Sequence, residues 1–111
     1  MKQSESALVK QIIQYLNYLG HYAWRVNTGA FAGQYTNKQG IRKTRFIQFG
    51  KKGMADILGI HKDTGQLIAI EAKVGKNKPS QFQIDFLEDI KSRGGIAILA
   101  YTLDDVSDII K

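Results

Sequence analysis

Gly53-Met54-Ala55-Asp56-Ile57-Leu58-Gly59-Ile60-His61-Lys62-Asp63-Thr64-Gly65-Gln66-Leu67-Ile68-Ala69-Ile70-Glu71-Ala72-Lys73-Val74 contains two short apolar runs separated by a polar turn, and each run carries one acid. Asp63-Thr64-Gly65 has turn chemistry: an Asp that bonds its own backbone and a Gly that accepts positive φ. The flanking runs have strand length, so the stretch predicts a β-hairpin. With Lys62 to Gly65 as a four-residue loop, Ile60 faces Leu67, Leu58 faces Ala69 and Asp56 faces Glu71. Directly opposed carboxylates then have Cβ atoms roughly 5 Å apart. A two-residue loop at Thr64-Gly65 sets Asp56 opposite Lys73 and still leaves all three side chains on one face; only an odd-length loop separates them. Strand alternation puts Glu71 and Lys73 on the face of Leu67 and Ala69, with Ile68, Ile70, Ala72 and Val74 on the other.

Burying a carboxylate is costly unless a cation or a donor meets it, so an acid in each of two neighbouring apolar runs predicts a shared partner. A metal ion fits that role. The chain has no cysteine and only two histidines, so its ligands must be mainly oxygen, which favours Mg²⁺, with Mn²⁺ able to substitute, over zinc. Asp56 and Glu71 are the candidate ligands, joined by the carbonyl oxygen of Ala72 turned inward at the strand edge. Phosphodiester hydrolysis needs a more acidic water and neutralisation of the charge that develops on the phosphate; Mg²⁺ held by carboxylates supplies both. Lys73 is the candidate to hold either the attacking water or the scissile phosphate.

Sixteen Lys and Arg against ten Asp and Glu give a formal charge of +6, and the isoelectric point is near 9.6. Polyanions are the expected partners. The excess is clustered: Lys38, Arg42, Lys43 and Arg45 share one segment, Lys51 and Lys52 precede the Asp56 run, and Lys76 and Lys78 follow the Glu71 run. These eight are candidate DNA-binding residues. Phe31, Tyr35 and Phe46 lie among them, a mixture that suits stacked bases and paired phosphates. No stretch approaches the ~20 apolar residues that span a bilayer, and the N-terminus lacks the apolar core of a secretion signal. A single soluble cytoplasmic domain over residues 1–111 is expected.

Outward from the hairpin, Leu8, Val9, Ile12, Ile13, Leu16 and Leu19 follow a helical period from Ser4 to Leu19, with Ser4 as N-cap and Gly20 as stop. Glu5 sits at the N-terminal end of that apolar stripe, either as a further ligand or as a first-turn acid complementing the helix dipole. Residues 21–28 predict a strand, Gly29 to Gly40 a long polar loop, and Thr44 to Phe49 a strand that belongs to a projecting hairpin or flap. A second helix spans Ser80 to Ser92 and ends at Gly94-Gly95. Ile96 to Tyr101 fits a buried central strand, and Thr102 with Asp105 resembles a capping box that opens a last helix to Ile110. The resulting order, αβ(ββ)βαβα, has an αβββαβ core and a C-terminal helix, which is the α/β class.

Gly53-Met54-Ala55-Asp56 followed by Glu71-Ala72-Lys73 resembles the GxxD…ExK signature of the PD-(D/E)xK nuclease superfamily. With Glu5 on the opening helix and Gln83 on the helix that follows, the pattern is similar to that of the VRR-NUC (virus-type replication-repair nuclease) family over nearly the whole chain. Alanine rather than proline precedes Asp56, which that pattern allows, and Glu5 matches by position alone. The family's helix-borne glutamine maps to Gln83 rather than Gln81, because Gln83 shares a face with Leu87 and Ile90. The resemblance implies a restriction-endonuclease-like core with a mixed central sheet flanked by helices. It also implies catalytic roles for Asp56, Glu71, Lys73, Gln83 and Glu5, a metal held by Asp56, Glu71, Ala72 and Glu5, and a bacterial or phage-infected cell as the setting. The implied activity is structure-selective, metal-dependent cleavage of branched DNA such as Holliday junctions by a homodimer. Two alternatives remain: a non-catalytic nucleic-acid-binding module whose acids pair with Lys73, and a flap or linear-duplex nuclease that needs a targeting partner.

Overall fold

The computed structural model describes residues 3–26, 29–49 and 51–111, with the stretches 29–33 and 45–49 described by their backbone alone. In chain order the elements are α1 (Glu5–Tyr18), β1 (Tyr22–Arg25), β2 (Gly29–Thr36), β3 (Arg42–Phe49), β4 (Ile57–Ile60), β5 (Leu67–Ala72), α2 (Gln81–Ser92), β6 (Ile96–Ala100) and α3 (Leu103–Ser107). The fold is a mixed α/β arrangement. Its sheet runs β1-β4-β5-β6, and β2 with β3 makes a separate two-stranded sheet. The pairs β1–β4 and β4–β5 are antiparallel and β5–β6 is parallel, so the sheet is mixed.

The β4–β5 register is the one that a four-residue loop dictates, with Ile60 opposite Leu67 and Leu58 opposite Ala69. The His61 N–H donates to the Gln66 carbonyl at 2.9 Å and closes the loop. That register sorts the side chains into two layers. Ile57, Ile68, Ile70, Ala72, Ile98 and Ala100 face α1 and α3, where Leu8, Val9, Ile12, Leu16, Val106 and Ile110 cover them. Ala69 and Leu58 face the other way, toward Phe86, Leu87 and Ile90 of α2. At roughly 25 cal/mol per Å² of apolar surface removed from water, these two layers are the main stabilising contribution of the fold.

Side-chain caps set the helix boundaries. Ser4 Oγ accepts from the Ala7 N–H at 3.0 Å to open α1. In α2, Ser80 and Gln83 form a reciprocal capping box. In α3 the Asp105 carboxylate accepts from the backbone N–H groups of Tyr101 and Thr102. At the end of the sheet near the C-terminus of α1, buried His21 accepts the Lys62 amide proton at Nδ1, 3.0 Å away, which ties the hairpin loop to the helix. Burial, reinforced by His61 and Lys62, keeps its imidazole below the usual histidine pKa.

Four expectations are corrected. The stretch from Gly29 is not a loop: Gly29–Thr36 pairs with Arg42–Phe49 as a regular antiparallel ladder, and only the turn after Asn37 is irregular. Ile96–Ala100 is an edge strand rather than a central one, because among the described residues it is paired on the β5 side only. The last helix stops at Ser107, where the chain turns to bury Ile110, and the Ile110 carbonyl accepts from Tyr15 Oη at 2.7 Å. The strand expected over residues 21–28 covers Tyr22–Arg25, and residues 27 and 28 lie outside the described residues. Among the described residues no helix is long and apolar enough to cross a membrane.

Candidate metal centre

Asp56 lies one residue before β4, held by the Val26 N–H, which donates to the Asp56 carbonyl at 2.8 Å. Its carboxylate turns across the hairpin, where Oδ2 accepts the Ala72 N–H at 3.0 Å. In an extended strand the N–H and C=O of one residue share an edge, so the Ala72 carbonyl faces the Asp56 side as well. The next residue points the opposite way: the Lys73 N–H donates to the Ala100 carbonyl of β6 at 2.9 Å. Glu71, one residue from the end of β5, is 1% exposed.

Two side chains meet one oxygen of Glu71. Gln83 Nε2 donates to Oε2 at 3.0 Å, and Lys73 Nζ lies 3.3 Å from the same atom, with the lysine side chain 14% exposed. The other oxygen, Oε1, is buried and has no hydrogen-bond partner among the described residues. One carboxylate oxygen from each of Glu5, Asp56 and Glu71 lies within 4.8 Å of the others. The five residues Glu5, Asp56, Glu71, Lys73 and Gln83, together with the Ala72 carbonyl edge, are thus gathered at one end of the sheet. Burial pushes the Glu71 carboxyl up to about 7, the neighbouring Asp56 charge adds to that rise, and the Lys73 ammonium opposes it. Below that pH the buried acid keeps a proton that a bound cation would displace, and above it the carboxylate pairs with Lys73.

The position of Gln83 has a local cause. Its Oε1 accepts the Ser80 N–H at 2.8 Å as half of the capping box, which leaves Nε2 aimed at Glu71. Gln81 instead donates to Asp85 at 2.8 Å on the exposed side of the helix, away from Glu71. The first turn of α2 approaches so closely because residue 53 is glycine: its φ is +82°, and a Cβ there would overlap the Phe82 backbone. The spacing Ser80-x-x-Gln83 carries the capping signal in the sequence, whereas the double duty of Gln83 shows only once β5 lies beneath it.

The basic candidates do not converge as tightly. Lys38, Arg42 and Lys43 are exposed on the β2–β3 hairpin, and the side chain of Arg45 lies outside the described residues, as do those of Phe31 and Phe46. Lys51, Lys52, Lys76 and Lys78 are exposed on the loops around the acids. The Lys52 ammonium sits 4.2 Å from the centroid of the Phe82 ring, beside the first turn of α2. Tyr22 and Trp24 count in the sequence only as strand formers, yet β1 places both on the Asp56 face. The signal for this is the register that sets Trp24 opposite Leu58 and Tyr22 opposite Ile60.

The chain matches no protein-family model. A search of the curated proteins finds no match either.

Proposed function

We propose that this protein is a divalent-metal-dependent DNA endonuclease of the VRR-NUC type, within the PD-(D/E)xK superfamily. The observation that carries the proposal is a cluster of three carboxylates in which buried Glu71 Oε1 has no hydrogen-bond partner among the described residues. A purely structural network would be under pressure to satisfy that oxygen, whereas a cation site leaves it available. Asp56, Glu71, Glu5 and the Ala72 carbonyl would hold the ion, and an all-oxygen donor set suits Mg²⁺, with Mn²⁺ as substitute. When bound, the ion supplies Lewis acidity toward water and phosphate. Gln83 fixes the rotamer of Glu71, and Asp56 is oriented by the Ala72 amide. Lys73, 3.3 Å from Glu71 Oε2, would present its ammonium to the attacking water or the scissile phosphate. The α-β-β-β-α-β succession of α1, β1, β4, β5, α2 and β6 agrees with a restriction-endonuclease-like core, with the β2–β3 hairpin inserted between β1 and β4.

Branched DNA, four-way junctions in particular, is the proposed substrate and a homodimer the proposed unit, since a junction needs two symmetry-related incisions and the described residues of each chain offer one acidic cluster. The second proposal, a non-catalytic nucleic-acid-binding module, is favoured by the Lys73–Glu71 ion pair. Synthetic junction, flap, nicked and linear substrates incubated with Mg²⁺, Mn²⁺ or EDTA separate the two. The nuclease predicts cleavage with either metal, none in EDTA, and loss of cleavage with retained binding for Asp56→Ala and Lys73→Ala. Binding without cleavage by the wild type under every condition selects the module, and cleavage of flaps or linear duplex alone replaces the junction as substrate.

A further inference from the structure

The sheet face that carries Asp56 and Glu71 is only partly roofed. Helix α2 packs over β5 and β6, at the far end from β1. On the uncovered end Tyr22 is 69% exposed and Trp24 is 39% exposed, and their rings lie 5.3 Å apart at an interplanar angle of 49°. The β1–β4 register continues from Trp24 opposite Leu58 toward Val26 beside Asp56. A diagonal neighbour on an antiparallel pair stands about 7–8 Å away, so Trp24 and Asp56 are diagonal neighbours on one sheet face, with the Asp56 carboxylate turned toward β5. Two large exposed rings are costly in water, and an isolated apolar patch would invite aggregation. Here a cation stands at the Tyr22 end of the patch, and another lies across the acids from it. Lys62 is exposed beside Gly20 at the Tyr22 end, and Lys52 is exposed beyond the acids at the start of α2.

We infer that Tyr22 and Trp24 form a stacking platform for unpaired nucleobases of the DNA strand whose backbone passes the Glu5–Asp56–Glu71 cluster. The inference deepens the nuclease proposal and rests on it, by naming splayed single-stranded nucleotides as the part of the substrate held next to the acids. Every base has a π-face, so such a platform tolerates any sequence, while the flanking lysines and the +6 net charge serve the phosphates. A fully paired duplex keeps its bases stacked on each other and offers the rings nothing. The specificity for branched or frayed DNA would therefore reside in β1, outside the metal ligands.

Trp24 is the only tryptophan of the chain, so its emission reports on the platform directly. The full-length protein is titrated in EDTA, where no cleavage occurs, with a short oligothymidine and separately with a blunt duplex, following tryptophan emission and the anisotropy of a labelled strand. Oligothymidine is expected to quench most of the emission and the duplex little. Trp24→Ala and Tyr22→Ala are each expected to weaken single-strand binding about tenfold while Trp24→Phe retains most of it, with thermal melts verifying that each variant is folded. Absence of single-strand binding, or binding with unchanged emission, overturns the platform. So does emission that changes with protein concentration alone, alongside a doubled mass in light scattering that Trp24→Ala abolishes, because a second copy of the chain then covers the rings. Cleavage of junctions in Mg²⁺ is scored in parallel: quenching without cleavage leaves the platform standing and removes the nuclease, and cleavage without quenching does the reverse.

Discussion

At Glu71 the proposed chemistry meets the stability of the fold. Its carboxyl is pushed up to about 7 from an ordinary 4.5, mainly by burial. Between those values the folded protein keeps a proton that the unfolded chain has released, so without metal the stability contributed at this site is full below pH 4.5 and falls as pH rises toward 7. The loss reaches about 3 kcal/mol above pH 7. Glu71→Gln removes that titration. In EDTA, urea unfolding at pH 5 and pH 8 should show a wild-type stability difference larger than that of Glu71→Gln by about 3 kcal/mol; equal differences would mean that the carboxyl is not strained. The acids were legible in the sequence because a charge inside an apolar run has no cheap structural explanation. The orphaned Oε1 was not, since it depends on Gln83 and Lys73 both choosing the other oxygen.

At the scale of elements, the approach of α2 to the loop before β4 is set at Gly53. Gly53→Ala would place a methyl group against the Phe82 backbone in a left-handed conformation, which costs about 1–3 kcal/mol from φ alone before any overlap. Thermal melts should show that loss, and displacement of α2 should carry Gln83 off Glu71; a variant as stable as the wild type would show that the loop yields freely. The β4–β5 register was readable because Asp63-Thr64-Gly65 limits the loop and the alternation of Leu67 to Val74 leaves one pairing that buries the right face. Strand β2 was not readable: its glycines and polar residues signal a loop, and its order is supplied by the ladder to β3. The edge position of β6 was hidden for the opposite reason. With α2 on one face and α3 on the other, its apolar sequence resembles that of a central strand. The last helix was overextended because apolar Ile109 and Ile110 continue its pattern, while the bond from Tyr15 fastens the chain end elsewhere.

At the scale of the whole molecule, an ion held at the proposed centre would be linked to folding. A ligand that binds only the folded form stabilises it by about 2.7 kcal/mol at a hundredfold excess over its dissociation constant. Mg²⁺ or Mn²⁺ should therefore raise the melting temperature at pH 8, EDTA should reverse the rise, and Asp56→Ala should abolish it. An identical melt with and without metal would remove the metal centre. The α/β class and the clustering of positive charge were legible from composition and period, whereas the division of one sheet face between a roofing helix and an open aromatic end follows from three-dimensional packing that no local pattern encodes. Gln83 links these scales, because a single amide is shared between the start of a helix and an acid in the sheet. A helix end that would ordinarily breathe on its own is yoked to a carboxylate, so the carboxylate inherits the stiffness of the helix, and the helix in turn feels whether its partner carries a proton.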